Sequence, residues 1–442
     1  MGTMKILKES SRIKKLKEIK EKDSPIMTGV RIPYKGEEKE FDVYRIPLEY
    51  LVYNPYNGRI GTKVKTFEVK SHKLDPENPE DVKIIEKYLW DSKPDRNKKT
   101  MESLMKYKQQ EYGIVSRNGF IIDGNRRASL LNKIYREREK YSKKHDVSHC
   151  AYFNAIILDE DADKKEILRL ETTYQMGMDE KLDYNAPEKY LKCKELMDVG
   201  YTIADIADMM GENENTIKKN LEILKLMDEY LDYYDYKDMY SMLDKREGQF
   251  VDLNNYVKAY EKKSGNARTN WAPTKDDIDD MILVSFDYIR GRYEGKEFRN
   301  IAQNGKGNIP KSFFANKKIW DDFLQSHKQL EDIEEDPVSE YLNKQDAAID
   351  ISAVLAERDK EWAKKASPIL QKNLNISKRQ LEDTQEADKP QELLMRVKKT
   401  LDLIDTDNQS FYTSEIQDLL QSINSMCWNM KKMIDKELKR NE

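Results

Sequence analysis

The feature that most constrains this chain is a short apolar segment that passes through a glycine straight into a helix. The segment covers residues 120–123, and it is followed by Gly124, Asn125, Arg126 and Arg127. Glycine lets a ligand approach the backbone closely, and the first amides of a helix are unpaired donors at the positive end of its dipole. Because two guanidinium groups add charged donors, the pattern predicts a phosphate-binding element. A solvated helix start is the alternative interpretation.

A tight hairpin is predicted directly before this element. Asn118 and Gly119 separate two apolar runs, residues 114–116 and 120–122. An Asn-Gly pair commonly supplies the two positive-φ positions of a two-residue hairpin turn. The order of hairpin, glycine and helix suits a small α+β domain, which we expect to span residues 41–160.

A second candidate ligand contact lies upstream in the same domain. Residues 54–59 combine asparagine, proline and glycine, which fix or relax φ, so Arg59 is expected on a constrained loop. Residues 61–95 are polar and contain three prolines, and we interpret them as an insertion. Further strands are predicted at residues 41–46 and 152–158.

A pattern typical of a helix-turn-helix follows in residues 161–235. Residues 202–211 and 216–224 carry apolar side chains at helical spacing, Ala207 is small enough for close helix crossing, and Gly211 supplies the turn. An ordinary helical hairpin would give a similar pattern. If the segment reads DNA, the candidate contacts are polar residues at the helix starts: Thr202, Asn213, Asn215, Thr216, Lys218 and Lys219.

Local charge decides whether nucleic acid is a credible partner. The chain of 442 residues has 78 Lys and Arg against 82 Asp and Glu, and a net charge of -4 neither demands nor excludes DNA. Eight cationic residues fall within the first 22, in a segment, residues 1–40, that we interpret as a basic N-terminal tail. In the predicted helix-turn-helix, Glu212 and Glu214 would repel phosphates, and Lys218 and Lys219 partly offset them.

The composition excludes several classes of protein and of site. The hydrophobic content of 38% supports folded cores, and the length suits roughly three domains. Three widely separated cysteines and four histidines provide neither a disulfide framework nor the spacing of a structural zinc site. No apolar run approaches the roughly 20 residues that span a bilayer. We therefore expect a cytoplasmic protein without a membrane segment.

The C-terminal part of the chain is predicted to be helical. Residues 236–385 have no pattern that indicates a role. Residues 386–442 contain two short heptad seams, which either a helical hairpin or a dimerising coiled coil would produce. We favour dimerisation.

Taken in order, these motifs resemble the ParB family of chromosome and plasmid partition proteins. The resemblance covers roughly residues 41–231, about half of the chain. The family turn Asn-Pro-x-Gln-Pro-Arg is matched at Asn54, Pro55 and Arg59 but not at the two positions before the arginine. The resemblance implies an α+β N-terminal domain of the ParB/sulfiredoxin fold, then an all-α helix-turn-helix domain and a helical C-terminal region.

Two further family motifs are retained in part. The phosphate element Gly-Glu-Arg-Arg is matched at Gly124, Arg126 and Arg127, with Asn125 in place of the glutamate. The segment Glu-Asn-x-x-Arg, which in the family helps to hold nucleotide and magnesium, retains only Glu171 here. The resemblance implies a nucleoside triphosphate, CTP or ATP, bound with Mg²⁺ by the residues of these three motifs: Arg59, Gly124, Asn125, Arg126, Arg127 and Glu171.

The resemblance also implies a function and partners. A homodimer would bind double-stranded DNA, the nucleotide would act as a conformational switch, and the basic N-terminal tail would contact a partner ATPase near the nucleoid. The process would be partition, plasmid or phage maintenance, or defence. An enzyme on the same fold (an NTPase, kinase or nuclease) is the alternative, with Asp123 and Glu171 as candidate catalytic carboxylates and Glu171 as the candidate metal ligand. A scaffold that has lost nucleotide binding is a third hypothesis.

Overall fold

The computed structural model describes most of the chain, in seven ranges: residues 6–159, 162–176, 185–261, 269–303, 311–343, 351–386 and 390–441. The chain separates into two compact units, Met1–Ser377 and Lys378–Glu442. The first unit contains a small β-sheet followed by helices, so the expected mixture of α and β structure near the N-terminus is present.

A five-stranded mixed sheet forms the centre of the N-terminal part. Its strands are β1 (Met27–Tyr34), β2 (Glu37–Pro47), β3 (Gly113–Val115), β4 (Ile121–Asp123) and β5 (Tyr152–Ile157). The strand order is β1-β2-β5-β3-β4. Strands β3 and β5 are parallel and the other neighbours are antiparallel. The short β3–β4 pair therefore stands at one edge, and β4 leads directly into the next helix.

Helices make up most of the remaining described chain. In order they are α1 (Glu9–Lys22), α2 (Gly61–Lys70), α3 (Pro79–Ser92), α4 (Pro94–Tyr107), α5 (Asn125–Arg136), α6 (Arg138–Tyr141), α7 (Lys164–Met176), α8 (Ala186–Asp198), α9 (Ile203–Met210), α10 (Glu214–Tyr233), α11 (Glu247–Glu261), α12 (Lys275–Arg290), α13 (Gly295–Ala302), α14 (Lys317–His327), α15 (Val338–Leu342), α16 (Ile351–Glu386), α17 (Pro390–Asp402) and α18 (Ser414–Asn441). Among the helices of these ranges, none is both long enough and apolar enough to cross a membrane.

The N-terminal segment differs from the basic tail that we expected over residues 1–40. Its first five residues lie outside the described ranges, but α1 and β1 are ordered elements, and Leu16 is fully buried. Arg12 is also buried, and its guanidinium donates to the carbonyl oxygens of Asn118 and Leu7 and to Glu77. The three buried residues of α1, Arg12, Leu16 and Ile19, dock the helix while most of its lysines face water.

The predicted insertion, residues 61–95, also differs from expectation. It forms α2 and α3, and Val64, Ile85 and Leu89 lie fully buried in the same hydrophobic cluster as residues of the sheet. Its polar composition reflects the outer faces of two amphipathic helices. The segment is therefore part of the domain core.

The hairpin has the predicted strands but a different turn. Gly119 has a φ of 84°, whereas Asn118 is not among the residues with positive φ. The amide of Gly119 donates to the carbonyl of Ser116, and the amide of Ser116 donates to that of Phe120. This is a three-residue loop in which only the glycine occupies the left-handed region.

Helix α7 connects the sheet to the helices that follow. Leu170 lies in the hydrophobic cluster on one face of the sheet, whereas Leu168 lies in the cluster formed by α8, α9 and α10. One helix thus contributes to two cores. Helices α8, α9 and α10 therefore pack against the sheet domain through α7, in addition to being connected to it along the chain.

The second unit, Lys378–Glu442, contains helices α17 and α18. Large apolar side chains along α18 are exposed, among them Leu419, Met426, Met430 and Met433. Their spacing by seven, four and three residues places them along one face of the helix.

Candidate functional site

The loop between β2 and α2 is built from two consecutive asparagine turns. The side-chain oxygen of Asn54 accepts from the amide of Tyr56 at 2.9 Å, and that of Asn57 accepts from the amide of Arg59 at 3.1 Å. Both asparagines are buried. Such turns fix the backbone locally, so Arg59 stands on a constrained loop, as the sequence predicts.

The start of α5 contains the predicted glycine in the left-handed region. Gly124 has a φ of 100° and directly precedes the first helical residue. A Cβ at this position would lie 2.6 Å from Cζ of Phe153, a fully buried side chain of β5. The space that a side chain would need at position 124 is therefore filled by an aromatic ring, which is a packing reason for glycine here, and the predicted approach of a ligand to its backbone stays a prediction.

Asn125 joins the loop to the phosphate element. Its side-chain oxygen accepts from the amide of Asn54 at 2.7 Å, and its side-chain nitrogen donates to the carbonyl of Ile121 at 3.0 Å. The residue is buried. It holds two segments together, and both polar ends of its side chain are engaged within the protein, so a contact with nucleotide through its backbone amide stays a prediction.

The second arginine at the start of α5, Arg127, is bonded to the backbone of the segment before β3. The guanidinium of Arg127 donates to the carbonyls of Glu111 and Tyr112 at 2.7 and 3.0 Å. Burial lowers the pKa of Arg127, the charges of Asp123 and Glu111 raise it, and the charge of Arg59 lowers it further. Arg59 and Arg127 therefore lie close enough to repel each other.

Both carboxylate oxygens of Glu171, the candidate metal ligand, are bonded to other groups of the protein. One carboxylate oxygen accepts from the amide of Gly58 at 2.7 Å, and the other lies 3.3 Å from Nζ of Lys192. Both side chains are buried. No group of three or more candidate ligands occurs in the described ranges. A buried carboxylate that is already paired with an ammonium group does not fit a magnesium ion, which needs accessible oxygen ligands.

Lys192 has a second carboxylate partner. Its Nζ lies 3.2 Å from Glu195 as well as beside Glu171. Burial disfavours the charge on Lys192, but these two carboxylates raise its pKa on balance, so the ammonium group stays charged. The amide of Gly58, the carboxylate of Glu171 and the ammonium group of Lys192 thus form a chain of contacts. It runs from the loop of residues 54–59, called the arginine loop below, through α7 to α8.

The candidate acidic pair is not assembled. Asp123 is buried at the end of β4, and its negative charge raises the pKa of Arg127. Within the described residues, Asp123 and Glu171 share no hydrogen bond, and both oxygens of Glu171 are bonded elsewhere. In the described ranges, Asp123 and Glu171 therefore do not form a carboxylate pair poised for acid-base work.

Two contacts were missed by the sequence analysis. Gln175 of α7 accepts from the side-chain amide of Asn57 and donates to the carbonyl of Ile122, both at 3.4 Å. Glu188 of α8 is buried beside Thr62 and accepts from the amide of Asn185. The Asn-x-x-Glu spacing of a capping box could have identified Glu188, whereas no local pattern signals Gln175.

The candidate DNA contacts divide into caps and exposed polar residues. Thr202 and Asn213 cap α9 and α10, accepting from the amides of Asp205 and Thr216. Asn215 is exposed at the start of α10. Thr202, Asn213 and Thr216 therefore have a structural role in addition to any contact with a ligand.

The charges around the start of α10 are largely compensated. Glu212 is paired with Lys189, and Glu214 lies 3.4 Å from Lys218. Lys219 is partly exposed and is in no ion pair among the described residues. The two carboxylates that would oppose phosphate are thus neutralised by neighbouring lysines.

Comparisons of the chain with protein-family models, with curated proteins and with solved structures give no match. Function is therefore inferred from the contacts of the chain itself. The predicted motifs of the loop, the α5 start and α7 lie together in space, with direct hydrogen bonds from Asn54 to Asn125 and from Gly58 to Glu171.

Proposed function

We propose that this protein is a ParB-like DNA-binding protein whose N-terminal domain binds a nucleoside triphosphate, CTP or ATP, as a conformational switch. The process would be partition, plasmid or phage maintenance, or defence. The proposal combines an anion-binding helix start with a helix-turn-helix segment that packs against the same domain.

One observation carries the proposal. Three segments that are far apart in sequence, residues 54–59, 124–127 and 171–175, converge through hydrogen bonds, and they bring Arg59 into the electrostatic environment of Arg127. The charges of Asp123 and Glu111 offset part of the repulsion at Arg127, and a bound anion would offset more of it. The first backbone amides of α5 point out of the N-terminal end of that helix, where the anion would bind. A triphosphate would satisfy these donors.

The roles of the individual residues follow from their contacts. Arg59 and Arg126 would supply charged donors, and the amides at the start of α5 would supply neutral ones. Arg127 contributes charge while its guanidinium also holds the carbonyls of Glu111 and Tyr112. Asn125 positions the loop. Magnesium has no place in this account because Glu171 is committed to Gly58 and Lys192.

Direct contacts connect the loop of residues 54–59 to the helices proposed to bind DNA. Gly58 is bonded to Glu171 of α7, and Glu171 is bonded to Lys192 of α8, which packs against α10. A ligand that shifts the loop would disturb a buried ion pair that also fixes α8. This is a physical basis for coupling between nucleotide and DNA.

Further proposals concern the partners. Asn215, Lys218 and Lys219 would contact DNA at the start of α10, and a second copy of the chain would cover the apolar face of α18. We do not extend the proposal to an ATPase partner at the N-terminus, because α1 is docked through Arg12 and Leu16.

Calorimetric titration of the full chain with each of the four ribonucleoside triphosphates tests the proposal. We expect saturable binding of one of them, reduced at least tenfold by Arg126→Ala, and no change with Arg138→Ala, an exposed arginine on α6. Absence of binding, or equal binding by both variants, would contradict it. A phosphate-release assay on the bound nucleotide would favour the enzyme hypothesis if turnover is rapid.

A further inference from the structure

A cleft of about 490 Å³ lies beside the arginine loop, between the sheet domain and the helices that follow it. Helices α2 and α3 form one wall, and the start of α8 and the segment around Tyr240 and Ser241 form the other. Its size falls within the roughly 300–1,000 Å³ of small-molecule sites. The predicted insertion therefore does more than extend the core, because it builds one side of a concave surface.

Cationic side chains converge on this cleft from successive elements. Lys63 comes from α2, Lys87 from α3 and Lys93 from the junction between α3 and α4, and Arg59 stands at the edge. Among the described residues, no carboxylate lies within ion-pair distance of Lys63, Lys87 or Lys93. This contrasts with Lys83, which is also on α3 and lies 2.7 Å from Glu80.

The carboxyl groups of the cleft do not balance these cations. Asp91 and Asp244 are exposed at its rim. Glu188 is buried in the wall, and burial raises its pKa to about 8, so at neutral pH it is largely uncharged. In the part of the chain that the structure describes, three unpaired lysines thus face two exposed carboxylates.

The floor of the cleft is a chain of hydroxyl groups from three elements. Thr66 of α2 accepts from Ser241 at 2.9 Å, and the Ser241 hydroxyl lies 2.6 Å from that of Ser352 at the start of α16. The Thr66 hydroxyl donates to the carbonyl of Thr62 at 2.8 Å and the Ser241 hydroxyl donates to Thr66, so these hydroxyls join the walls of the cleft, and the lysines supply the donors for phosphate oxygens. The ring of Tyr88 lies 5.9 Å from Nζ of Lys63 and provides a flat apolar wall.

We propose that this cleft binds a small polyphosphorylated ligand of nucleotide size, held by Lys63, Lys87 and Lys93 over the hydroxyls of Thr66, Ser241 and Ser352. The cleft shares Arg59 with the site proposed at the α5 start, but none of residues 124–127 lines it. It does not depend on the triphosphate proposed there. Because the two walls of the cleft belong to different parts of the fold, a bound ligand would contact α2 and α3 on one side and α8 and α16 on the other.

The test uses the full chain carrying Arg126→Ala, so that binding at the α5 start is weakened, with inorganic tripolyphosphate and ATP as probes in calorimetry. We expect saturable binding of tripolyphosphate, at least tenfold weaker in the further double variant Lys63→Gln/Lys87→Gln. Lys83→Gln is the matched control on the same helix and should leave the affinity unchanged. ATP binding more tightly than tripolyphosphate would support a nucleotide as the ligand.

Two outcomes would overturn this inference: tripolyphosphate that does not bind to the Arg126→Ala protein, or equal affinity with and without Lys63 and Lys87. Displacement of tripolyphosphate by duplex DNA would also overturn it, because it would assign the lysines to nucleic acid. The thermal unfolding curve of the double variant should match that of Arg126→Ala, since both lysines are at least partly exposed. Failure at the α5 start is recognised separately, by a complete loss of nucleotide binding in Lys63→Gln/Lys87→Gln with Arg126 intact.

Discussion

Among the single residues of this protein, Glu188 has an environment that differs greatly from water. It is 6% exposed, and burial raises its pKa from 4.5 to about 8, although contacts with Asn185 and Thr62 and the charges of Arg59 and Lys63 lower it. The folded protein therefore holds a proton that the unfolded chain releases above pH 4.5. Folding and proton binding are linked at this residue.

Glu188→Gln should change the pH dependence of stability. Glu188 stabilises the folded state most at low pH, and this contribution is lost as pH rises through the folded pKa of about 8. Relative to Glu188→Gln, the wild-type free energy of unfolding should fall between pH 5 and 8 by up to about 1.4 kcal/mol per pH unit. Urea denaturation at several pH values measures it, with exposed Glu102→Gln as control. A difference that stays constant or grows with pH would refute the assignment.

A second prediction concerns Lys192, which is 2% exposed between Glu171 and Glu195. Lys192→Met leaves a buried carboxylate unpaired, so the free energy of unfolding should fall by about 3–5 kcal/mol. Adding Glu171→Gln should restore part of the loss. Lys194→Met is the control on the same helix, because its exposed pair with Asp228 should matter by less than about 1 kcal/mol. Equal effects of the two lysine substitutions in urea denaturation would contradict the account.

Among the elements, those with strong local signals could be predicted from the sequence. Helix α9 begins after Thr202 and ends at Gly211, whose φ is 65°, and α10 begins after Asn213, so caps and glycine mark these boundaries. The transition from β4 to α5 is local in the same way. Helix α1 was missed because its few buried residues lie among many lysines. Contacts such as Glu171 with Lys192 depend on tertiary packing, which no periodicity encodes.

The transition from β4 to α5 gives a prediction of its own. Gly124→Ala places a Cβ 2.6 Å from Phe153 at a φ of +100°, so strain and overpacking should together cost about 2–5 kcal/mol. Gly200→Ala is a matched control, since Gly200 has a φ of +88° with nothing within 4 Å of the added carbon. It should cost only the backbone strain, about 1–2 kcal/mol. If urea denaturation gives equal losses, Phe153 does not require a glycine at position 124.

At the scale of the whole molecule, the C-terminal unit exposes an apolar face on α18, and a second copy of the chain is the partner that we propose for it. Met426→Glu/Met430→Glu places two charges on that face. The full chain should sediment as a dimer, and the double variant as a monomer. Gln421→Glu, on another face of α18, should remain dimeric. A wild-type monomer at micromolar concentration would contradict this proposal.

For the whole molecule, we propose that nucleotide at the arginine loop and DNA at α10 are coupled through the contacts of Gly58, Glu171 and Lys192. Coupling between two ligands is reciprocal, and its usual size is about 5–150-fold in affinity. The most direct test is the affinity of the full chain for its nucleoside triphosphate, measured by calorimetry with and without saturating duplex DNA. We predict a difference of at least fivefold, abolished in Glu171→Gln/Lys192→Met. An affinity that is the same with and without DNA would contradict the account.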